Sequence, residues 1–266
     1  MYKKQHISVI VPAHNEAESI GSVVNDLTKI LNESADKLID DIIVCDNASS
    51  DNTAFAASQA GARVLYEAKA GYGSACLKAM SALKKDTDII VFVDGDASVN
   101  SREIFQLLEP IVSTDTIDAS NDELSHKNCA ELTIGVRTKN QQEQGALLPQ
   151  QKLGNIWACS LIQLLWSKPV SDLGPFRAIT SSALKKIGMT DQRFGWTVEM
   201  QIKAIQKNIN VIEVPVSVRK RVGKSKISGT FKGTLLACLD IFGTIFKLKF
   251  TELKKTRKLR IASQYP

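Results

Sequence analysis

The sequence predicts an α/β fold in which a central, mostly parallel sheet is flanked by helices. Short apolar segments alternate with segments of helical periodicity through the first half of the chain. The apolar segments are continuous rather than alternating, which is typical of parallel strands buried on both faces. With 266 residues, of which 44% are hydrophobic, the chain is long enough to form one large domain with a full core.

Each element of the first half has its own signal. HISVIVPA (6–13) is a short apolar strand, and Asn15 with Glu18 resembles a capping box that opens a helix. The elements that follow are a strand at 42–46, a capped helix within 49–62 that Gly61 ends, a strand at 63–67, a helix at 73–85 and a strand at 88–94. This alternation of strands and helices predicts a doubly covered sheet.

The second half is less regular. Residues 113–130 are polar and aperiodic and predict a loop, after which ELTIGVR (131–137) returns to the sheet. The predicted elements after it are a helix at 152–166, an extended segment at 172–179, short helices near 181–187 and 197–208, and a strand at 211–218. No repeat or linker divides the chain, so we expect one domain (1–230) with a C-terminal extension (231–266).

Polar side chains gather where three of the predicted strands end, at 12–16, 46–51 and 94–96. Ligands of open α/β sheets bind at the carboxyl ends of the strands. Asp94 and Asp96 are separated by one glycine, and two adjacent carboxylates repel each other unless a cation lies between them. Mg²⁺ or Mn²⁺ suits these oxygen ligands and completes its shell with phosphate oxygens. A polar turn is the alternative.

These segments resemble the family 2 glycosyltransferases of the GT-A fold. The matching stretches are VPAHNE (11–16), VCDNASSDNT (44–53), AGYGSACLKAM (70–80) and VDGDAS (93–98). Later stretches most resemble the polyprenyl- and dolichyl-phosphate sugar synthases: GVR (135–137), DLGPFRAI (172–179), FGWTVEMQIKA (194–204) and VRKRVGKSKISGT (218–230). Asn47, Ala48 and the Gly-Val pair at 135–136 depart from the usual family residues.

The resemblance implies an inverting transfer of a sugar from a UDP- or GDP-linked donor to a lipid phosphate, with Mg²⁺ or Mn²⁺ held by Asp94 and Asp96. The implied donor-binding residues are Pro12, Asn15, Glu16, Asp46, Gly71, Gly73, Arg219, Arg221 and Lys224. Glu16 is expected near the ribose or base, and Asp46 is expected to accept a base N–H. Helix electrostatics and an Asx turn are compatible alternative roles for these two carboxylates.

The acceptor side follows from the same resemblance. Arg137 and Lys152 match the positions that bind an acceptor phosphate, while Asp94, Asp96, Asp172 and Glu199 are the implied catalytic residues. A hydroxyl acceptor needs a general base, a role that Glu199 would take. A phosphate monoester is already ionised and needs cations instead. The alternative for Glu199 is an orienting role.

The positive charge is concentrated at the C-terminus. From Arg219 onward there are 13 Lys and Arg residues against two acidic ones, whereas the preceding residues carry 21 basic and 26 acidic ones. An apolar stripe runs along the same segment at Phe231, Leu235, Leu239, Phe242 and Phe246. Charges interrupt any run of the roughly 20 apolar residues that a spanning helix needs. We therefore expect an amphipathic helix on an anionic membrane surface, with packing on the domain or on a dimer partner as alternatives.

Other classes of function fit the sequence less well. The basic tail has no aromatic platform, so we expect no nucleic-acid partner. Five scattered cysteines and a start that runs directly into a strand predict a reduced cytoplasmic location, attached peripherally to the inner face of the membrane. A soluble glycosyltransferase acting on a hydroxyl of a saccharide or a small phosphorylated metabolite is the main alternative. A nucleotidyltransferase or an inactive nucleotide-sugar-binding protein is a further one.

Overall fold

A computed structural model describes residues 3–33, 38–112, 129–223 and 231–264. Within them lies a seven-stranded sheet with the order β3-β2-β1-β4-β6-β5-β7. The strands are β1 Ile7–Ala13, β2 Asp41–Asp46, β3 Arg63–Tyr66, β4 Ile89–Phe92, β5 Leu132–Gln142, β6 Arg177–Thr180 and β7 Val211–Val218. The helices are α1 Ile20–Glu33, α2 Thr53–Gln59, α3 Tyr72–Met80, α4 Ile104–Val112, α5 Pro149–Trp166, α6 Ser181–Ile187, α7 Trp196–Gln206 and α8 Phe231–Gln264.

The sheet is mostly parallel, as predicted. Only β6 runs antiparallel to its neighbours β4 and β5. The parallel register pairs Ala13 with Asp46 and Ile10 with Phe92, so the carboxyl ends of β1, β2 and β4 meet at one edge. β6 enters the sheet at this edge, where Arg177 pairs with Phe92. The edge therefore brings together residues from four strands that are distant in sequence.

Helices bury both faces of the sheet. Successive strand residues point to opposite faces, so Val9 and Val11 pack with α1 and α4, whereas Ile10 packs with α3, α6 and α7. Trp196, at the start of α7, is 1% exposed and meets the ring of Phe92 edge-on at 5.9 Å between centroids. This aromatic pair lies in the core directly behind the end of β4.

A third apolar cluster joins α5, α7 and α8, and it includes Ile162, Val198 and the fully buried Ile245. Lys249 of α8 donates a hydrogen bond of 2.8 Å to the carbonyl of Leu165 and lies 5.0 Å from the ring centre of Trp166. The C-terminal helix thus packs one face on the rest of the chain. Within the described residues, none of the helices has the length and apolar character that a membrane span requires.

Several predicted boundaries differ from the structure. α1 begins at Ile20 because residues 16–19 form a turn in which the carbonyl of Glu16 accepts hydrogen bonds from the amides of Ser19 and Ile20. α3 ends at Met80 in i→i+3 turns, and α5 begins early, at Pro149, which is a favoured first helical residue. Residues 113–128 of the predicted polar loop lie outside the described residues.

Candidate active site

A cavity of about 330 Å³ opens at the carboxyl edge of β1, β2 and β4. The predicted site residues that line it are Pro12, Glu16, Gly71, Asp94, Asp96 and Arg221. His14, Asn47, Tyr72 and Phe194 line it as well and were not predicted as site residues. The cavity therefore assembles residues from all four early motifs together with one residue that precedes α7 and one that follows β7.

Asn15 ties the end of β1 to the loop after β2. Its side-chain oxygen accepts a 2.7 Å hydrogen bond from the amide of Ser50, and its own amide donates to the Ser49 hydroxyl at 2.9 Å. Asn15 has a φ of 54°, a left-handed conformation that asparagine tolerates. These contacts position the polypeptide around Glu16 and the loop that contains Asp46. Asp46 itself is buried and lies beside the cavity rather than in its lining.

Asn47 fixes the glycine-rich turn to the end of β2. Its side-chain nitrogen donates to the carbonyls of Glu67 and Lys69 at 3.1 and 2.8 Å, and its side-chain oxygen accepts from the amide of Gly71 at 2.8 Å. An aspartate, which is more usual in the resembled motif, has no N–H groups to donate to the two carbonyls. The departure at this position is therefore accounted for by the local hydrogen bonds.

The glycines of the same turn allow close contact with the segment before α7. Gly71 has a φ of 141°, and a Cβ there would lie 2.1 Å from the carbonyl oxygen of Gln192. A Cβ on Gly73 would lie 2.1 Å from the carbonyl oxygen of Asp191. Gly73 also donates its amide to the carbonyl of Arg193 at 3.1 Å. Gly71 faces the cavity, whereas Gly73 lies in this packing contact.

Glu199 fixes the segment before α7 that the glycine-rich turn contacts. Its carboxylate is 3% exposed and accepts hydrogen bonds from the amides of Thr190 and Asp191 at 2.9 and 2.7 Å and from the Thr190 hydroxyl at 2.5 Å. Lys203 forms an ion pair with it at 2.8 Å. Burial alone would raise the pKa of Glu199, but these partners outweigh it and lower the pKa. The contacts fix the segment at 190–193, against which the glycine-rich turn packs.

The two carboxylates of the DGD motif lie at the centre of the cavity. Tyr72 donates its hydroxyl to Asp94 at 3.0 Å, while Asp96 pairs with the guanidinium of Arg221, which also lies 3.6 Å from Glu16. Burial, and next the charge of Asp96, raise the pKa of Asp94 to about 7. A raised pKa means that ionising both carboxylates here is costly.

This pair fits a divalent cation. Both residues supply hard oxygen ligands to one cavity, and a cation between them would relieve the repulsion that raises the pKa of Asp94. The part of the chain that the structure describes holds no cluster of three or more His, Cys, Asp or Glu side chains suited to a metal. Mg²⁺ characteristically takes one or two carboxylates and completes its shell with phosphate oxygens and water.

The raised pKa predicts a pH dependence of metal binding. Below about pH 7 Asp94 binds a proton, so a metal ion must displace it and the apparent metal affinity falls as pH falls. We expect the apparent Kd for Mn²⁺ to weaken up to about tenfold per pH unit below that point. Titrations by calorimetry between pH 5.5 and 8.5 measure it. An affinity that does not change with pH over this range contradicts the assignment of Asp94 as a ligand.

Arg137, whose charge acts on Asp94, forms an ion pair with the buried Asp172. Asp172 accepts hydrogen bonds from the Nε and Nη2 of Arg137 at 2.7 and 2.5 Å and from its backbone amide at 2.8 Å. Although burial opposes it, this pairing lowers the pKa of Asp172. Arg177, which the sequence analysis did not single out, is 1% exposed and donates to the carbonyls of Gly174 and Thr197. Its Nη2 has no hydrogen-bond partner among the described residues.

The remaining predicted residues are more peripheral. Lys152 is exposed in the first turn of α5, and Arg219 is exposed just after β7, with its amide bonded to the carbonyl of Ser98 at 2.8 Å. Lys224 lies outside the described residues. The structure places neither exposed cation in the cavity lining, so the roles predicted for all three remain predictions.

The fold and the site define the class of protein. A mostly parallel sheet with an acidic pair at the end of β4 has the arrangement of GT-A glycosyltransferases, and the chain superposes on solved structures of that fold. The family model described as Glycosyl transferase family 2 matches residues 8–165, and the chain belongs to this family. The predicted fold, family and enzyme class are thereby confirmed.

The chain is similar to two named sugar transferases and to a solved structure. It is 27% identical over 228 residues to the dolichyl-phosphate hexose transferase of Haloferax volcanii, covering 85% of this chain and 88% of that protein. It is 26% identical over 245 residues to the undecaprenyl-phosphate mannosyltransferase of Micrococcus luteus, with 89% and 93% covered. Glucosyl-3-phosphoglycerate synthase of Mycobacterium tuberculosis, solved with Mn²⁺, UDP and phosphoglyceric acid, shares the fold with a TM-score of 0.71 at 20% identity, covering 92% of this chain and 79% of that one.

Proposed function

We propose that this glycosyltransferase moves a sugar, with inversion, from a UDP- or GDP-linked donor to a polyprenyl phosphate, with Mg²⁺ or Mn²⁺ as cofactor. One observation carries the choice of acceptor. Arg137, a cation fixed by Asp172, interacts electrostatically with Asp94, while the carboxylate of Glu199 is taken up by three hydrogen bonds and an ion pair. An ionised phosphate needs such a cation and no general base.

Both lipid-phosphate relatives support this acceptor, since their similarity covers at least 85% of the present chain. The M. tuberculosis enzyme, whose structure contains Mn²⁺ and UDP, supports a nucleotide donor and a divalent metal. Glu16 and Gly71 line the cavity in which that donor would lie, and the buried Asp46 beside it is the proposed acceptor for a base N–H.

The proposed reaction is a single displacement. An oxygen of the acceptor phosphate forms a bond to the anomeric carbon as the bond from that carbon to the nucleoside diphosphate breaks, and the diphosphate leaves with the electron pair. Arg137 holds the attacking phosphate, and Arg221 contributes positive charge beside the leaving group. A metal at Asp94 and Asp96 would supply further charge stabilisation for the diphosphate.

We further propose that the protein works attached to the inner, anionic face of a membrane, where a polyprenyl phosphate resides. The 13 basic residues from Arg219 onward support this location. A homodimer remains a prediction. The alternative, a glycosyltransferase acting on a small phosphorylated metabolite, has support in the fold shared with glucosyl-3-phosphoglycerate synthase.

Thermal stabilisation by a panel of nucleotide sugars tests the donor class. We expect UDP- or GDP-linked sugars, and not ADP- or CMP-linked ones, to raise the Tm in the presence of Mn²⁺ or Mg²⁺, with the shift lost on chelation. Asp46→Asn should reduce the preference for the base while leaving metal-dependent binding in place. Equal stabilisation by every nucleotide, or a shift that chelation does not affect, contradicts the proposed donor site.

A further inference from the structure

Tyr72 contacts one of the two carboxylates that form the proposed metal site. It is the first residue of α3 and lines the cavity, and its hydroxyl donates a 3.0 Å hydrogen bond to Oδ1 of Asp94. A phenol keeps its proton near neutral pH, so the hydroxyl is available as a donor to an ionised carboxylate. The hydrogen bond therefore links the glycine-rich turn directly to the DGD motif.

Hydrogen bonds to the segment before α7 hold the start of α3 in place. The amides of Gly73 and Ser74, which lie in the first turn and lack partners within the helix, donate to the carbonyls of Arg193 and Gln192 at 3.1 and 2.9 Å. The Ser74 hydroxyl donates to the same carbonyl of Gln192 at 3.1 Å. Because Tyr72 directly precedes these two residues, its ring projects from a fixed backbone, and its hydroxyl has a defined position beside the DGD motif.

One oxygen of each DGD carboxylate is engaged by an uncharged donor. Oδ1 of Asp94 accepts from the Tyr72 hydroxyl, and Oδ1 of Asp96 accepts from the amide of Ser98 at 2.9 Å. Oδ2 of Asp96 already faces a cation, the guanidinium of Arg221. Oδ2 of Asp94 has no hydrogen-bond partner among the residues that the structure describes. The pair therefore offers a metal ion one oxygen from each carboxylate.

Ligation through single oxygens discriminates between divalent cations. Mg²⁺ requires a near-ideal octahedron with oxygens at about 2.0–2.1 Å, and one oxygen from each of two carboxylates leaves room for phosphate oxygens and water. Octahedral oxygen sites suit Mn²⁺ as well. Ca²⁺ takes roughly six to eight oxygens and often binds a carboxylate through both of them. A cation that used both oxygens of Asp94 would compete with the Tyr72 hydroxyl for Oδ1.

We propose that Tyr72 is a positioning residue that leaves a single oxygen of Asp94 for the metal and thereby favours Mg²⁺ or Mn²⁺ over Ca²⁺. The proposal rests on the metal cofactor proposed above and adds the residue that determines which ion is held. Hydrogen bonds to ligating carboxylates orient them, and their loss typically weakens metal binding by about 10- to 100-fold. A purely structural role of the hydroxyl would change folding stability and not the preference among ions.

The variant Tyr72→Phe removes the hydroxyl and keeps the ring. Mn²⁺ binding is measured from the EPR signal of the free ion, and Ca²⁺ binding from the displacement of Mn²⁺, both with and without saturating UDP or GDP. We expect the Kd for Mn²⁺ to weaken about tenfold and the preference for Mn²⁺ over Ca²⁺ to fall by at least that factor. The matched control is Tyr66→Phe, which changes a 61% exposed tyrosine at the end of β3 and should keep the preference of the unmodified protein.

Activity and stability give two further readouts for Tyr72→Phe. The Mn²⁺ concentration for half-maximal transfer should rise about tenfold, because the metal ligand is less well oriented. The Tm measured with metal chelated should fall by no more than about 2–4 °C, the effect expected of one lost hydrogen bond in a chain of this size. A Tm in this range shows that the variant is folded and that its altered metal binding is local.

Three results overturn the proposal. An unchanged preference between Mn²⁺ and Ca²⁺ in Tyr72→Phe overturns the role of Tyr72 alone, since the metal site itself would still bind. If the unmodified protein binds no Mn²⁺, with or without nucleotide, the metal site is wrong and this role fails with it. An unchanged half-maximal Mn²⁺ concentration beside a lower maximal rate would show that the hydroxyl contacts substrate instead of orienting Asp94.

Discussion

Asp94→Asn and Asp96→Asn variants lose sugar transfer by about 100- to 1,000-fold or more, the loss seen when one electrostatic contact to a transition state is removed. Asparagine keeps the size of the side chain but lacks the charge needed to bind a divalent cation beside a diphosphate. Each variant also loses the metal-dependent part of donor binding. Initial rates at saturating donor, with Mn²⁺ titrated from micromolar to millimolar, measure both effects.

Asp86→Asn is the matched control. Asp86 precedes β4 as Asp94 follows it, and its exposed carboxylate lies 3.1 Å from the imidazole of His6. We expect normal transfer from this variant. A full rate from either DGD variant, with metal removed by chelation, would show that the two aspartates do not form the metal site.

Arg137→Ala lowers the rate with a polyprenyl phosphate by about 100-fold, because a hydrogen bond to a charged group is worth roughly 1.5–3 kcal/mol. Glu199→Gln keeps a substantial rate with the same acceptor. The glutamine conserves the shape of a side chain whose contacts fix the segment at 190–193. Steady-state rates on a lipid phosphate and on the matched lipid alcohol compare the two variants.

The loss of rate in Arg137→Ala has to be separated from a loss of folding stability. Removing Arg137 leaves Asp172 buried without its cation, which typically costs about 3–5 kcal/mol, so Arg137→Ala/Asp172→Asn is assayed beside the single variant. Both should lose transfer, and the double variant should recover Tm. A dead Glu199→Gln enzyme beside a nearly normal Arg137→Ala enzyme would instead indicate a hydroxyl acceptor activated by a general base.

The fold could be predicted from the sequence because its strands carry a strong local signal. Continuous apolar runs such as 89–93 are short, bounded by polar turns and buried on both faces. The position of the site could be predicted from the same signal. The residues after β1, β2 and β4 lie at one edge of the sheet because these strands are parallel neighbours. The acidic pair at 94–96 therefore needed only the order of the strands to be placed.

Contacts between distant segments could not be predicted from the sequence. The role of Asn47 depends on two carbonyls and an amide that lie about 20 residues away. Arg177 looks like an ordinary strand residue in sequence, because its burial arises from β6 entering the sheet antiparallel beside β4. Gly73 carries no signal that distinguishes packing from ligand contact, and only the approach of Asp191 reveals its packing role.

The apolar periodicity of the C-terminal helix does not distinguish its buried face from its exposed face. Of the predicted stripe, Leu235, Leu239 and Phe246 are exposed, whereas Phe242 packs against the apolar cluster on the domain, in which Ile245 is fully buried. Helix α8 is apolar on both sides, so the sequence was compatible with a membrane contact, with packing on the domain and with packing on a dimer partner. The structure places packing on the inner face and leaves the outer face for the proposed membrane contact.

Acceptor competition tests the central claim most directly. The protein is incubated with Mn²⁺, a labelled nucleotide sugar that stabilises it, and equimolar polyprenyl phosphate, polyprenol and 3-phosphoglycerate, and the products are separated by solvent extraction. We expect the label in the organic phase, attached to polyprenyl phosphate and not to polyprenol. Mild acid should release this label as the intact sugar. Label that remains in the aqueous phase as a glycosylated phosphoglycerate, or that appears on polyprenol, would contradict a lipid-phosphate acceptor.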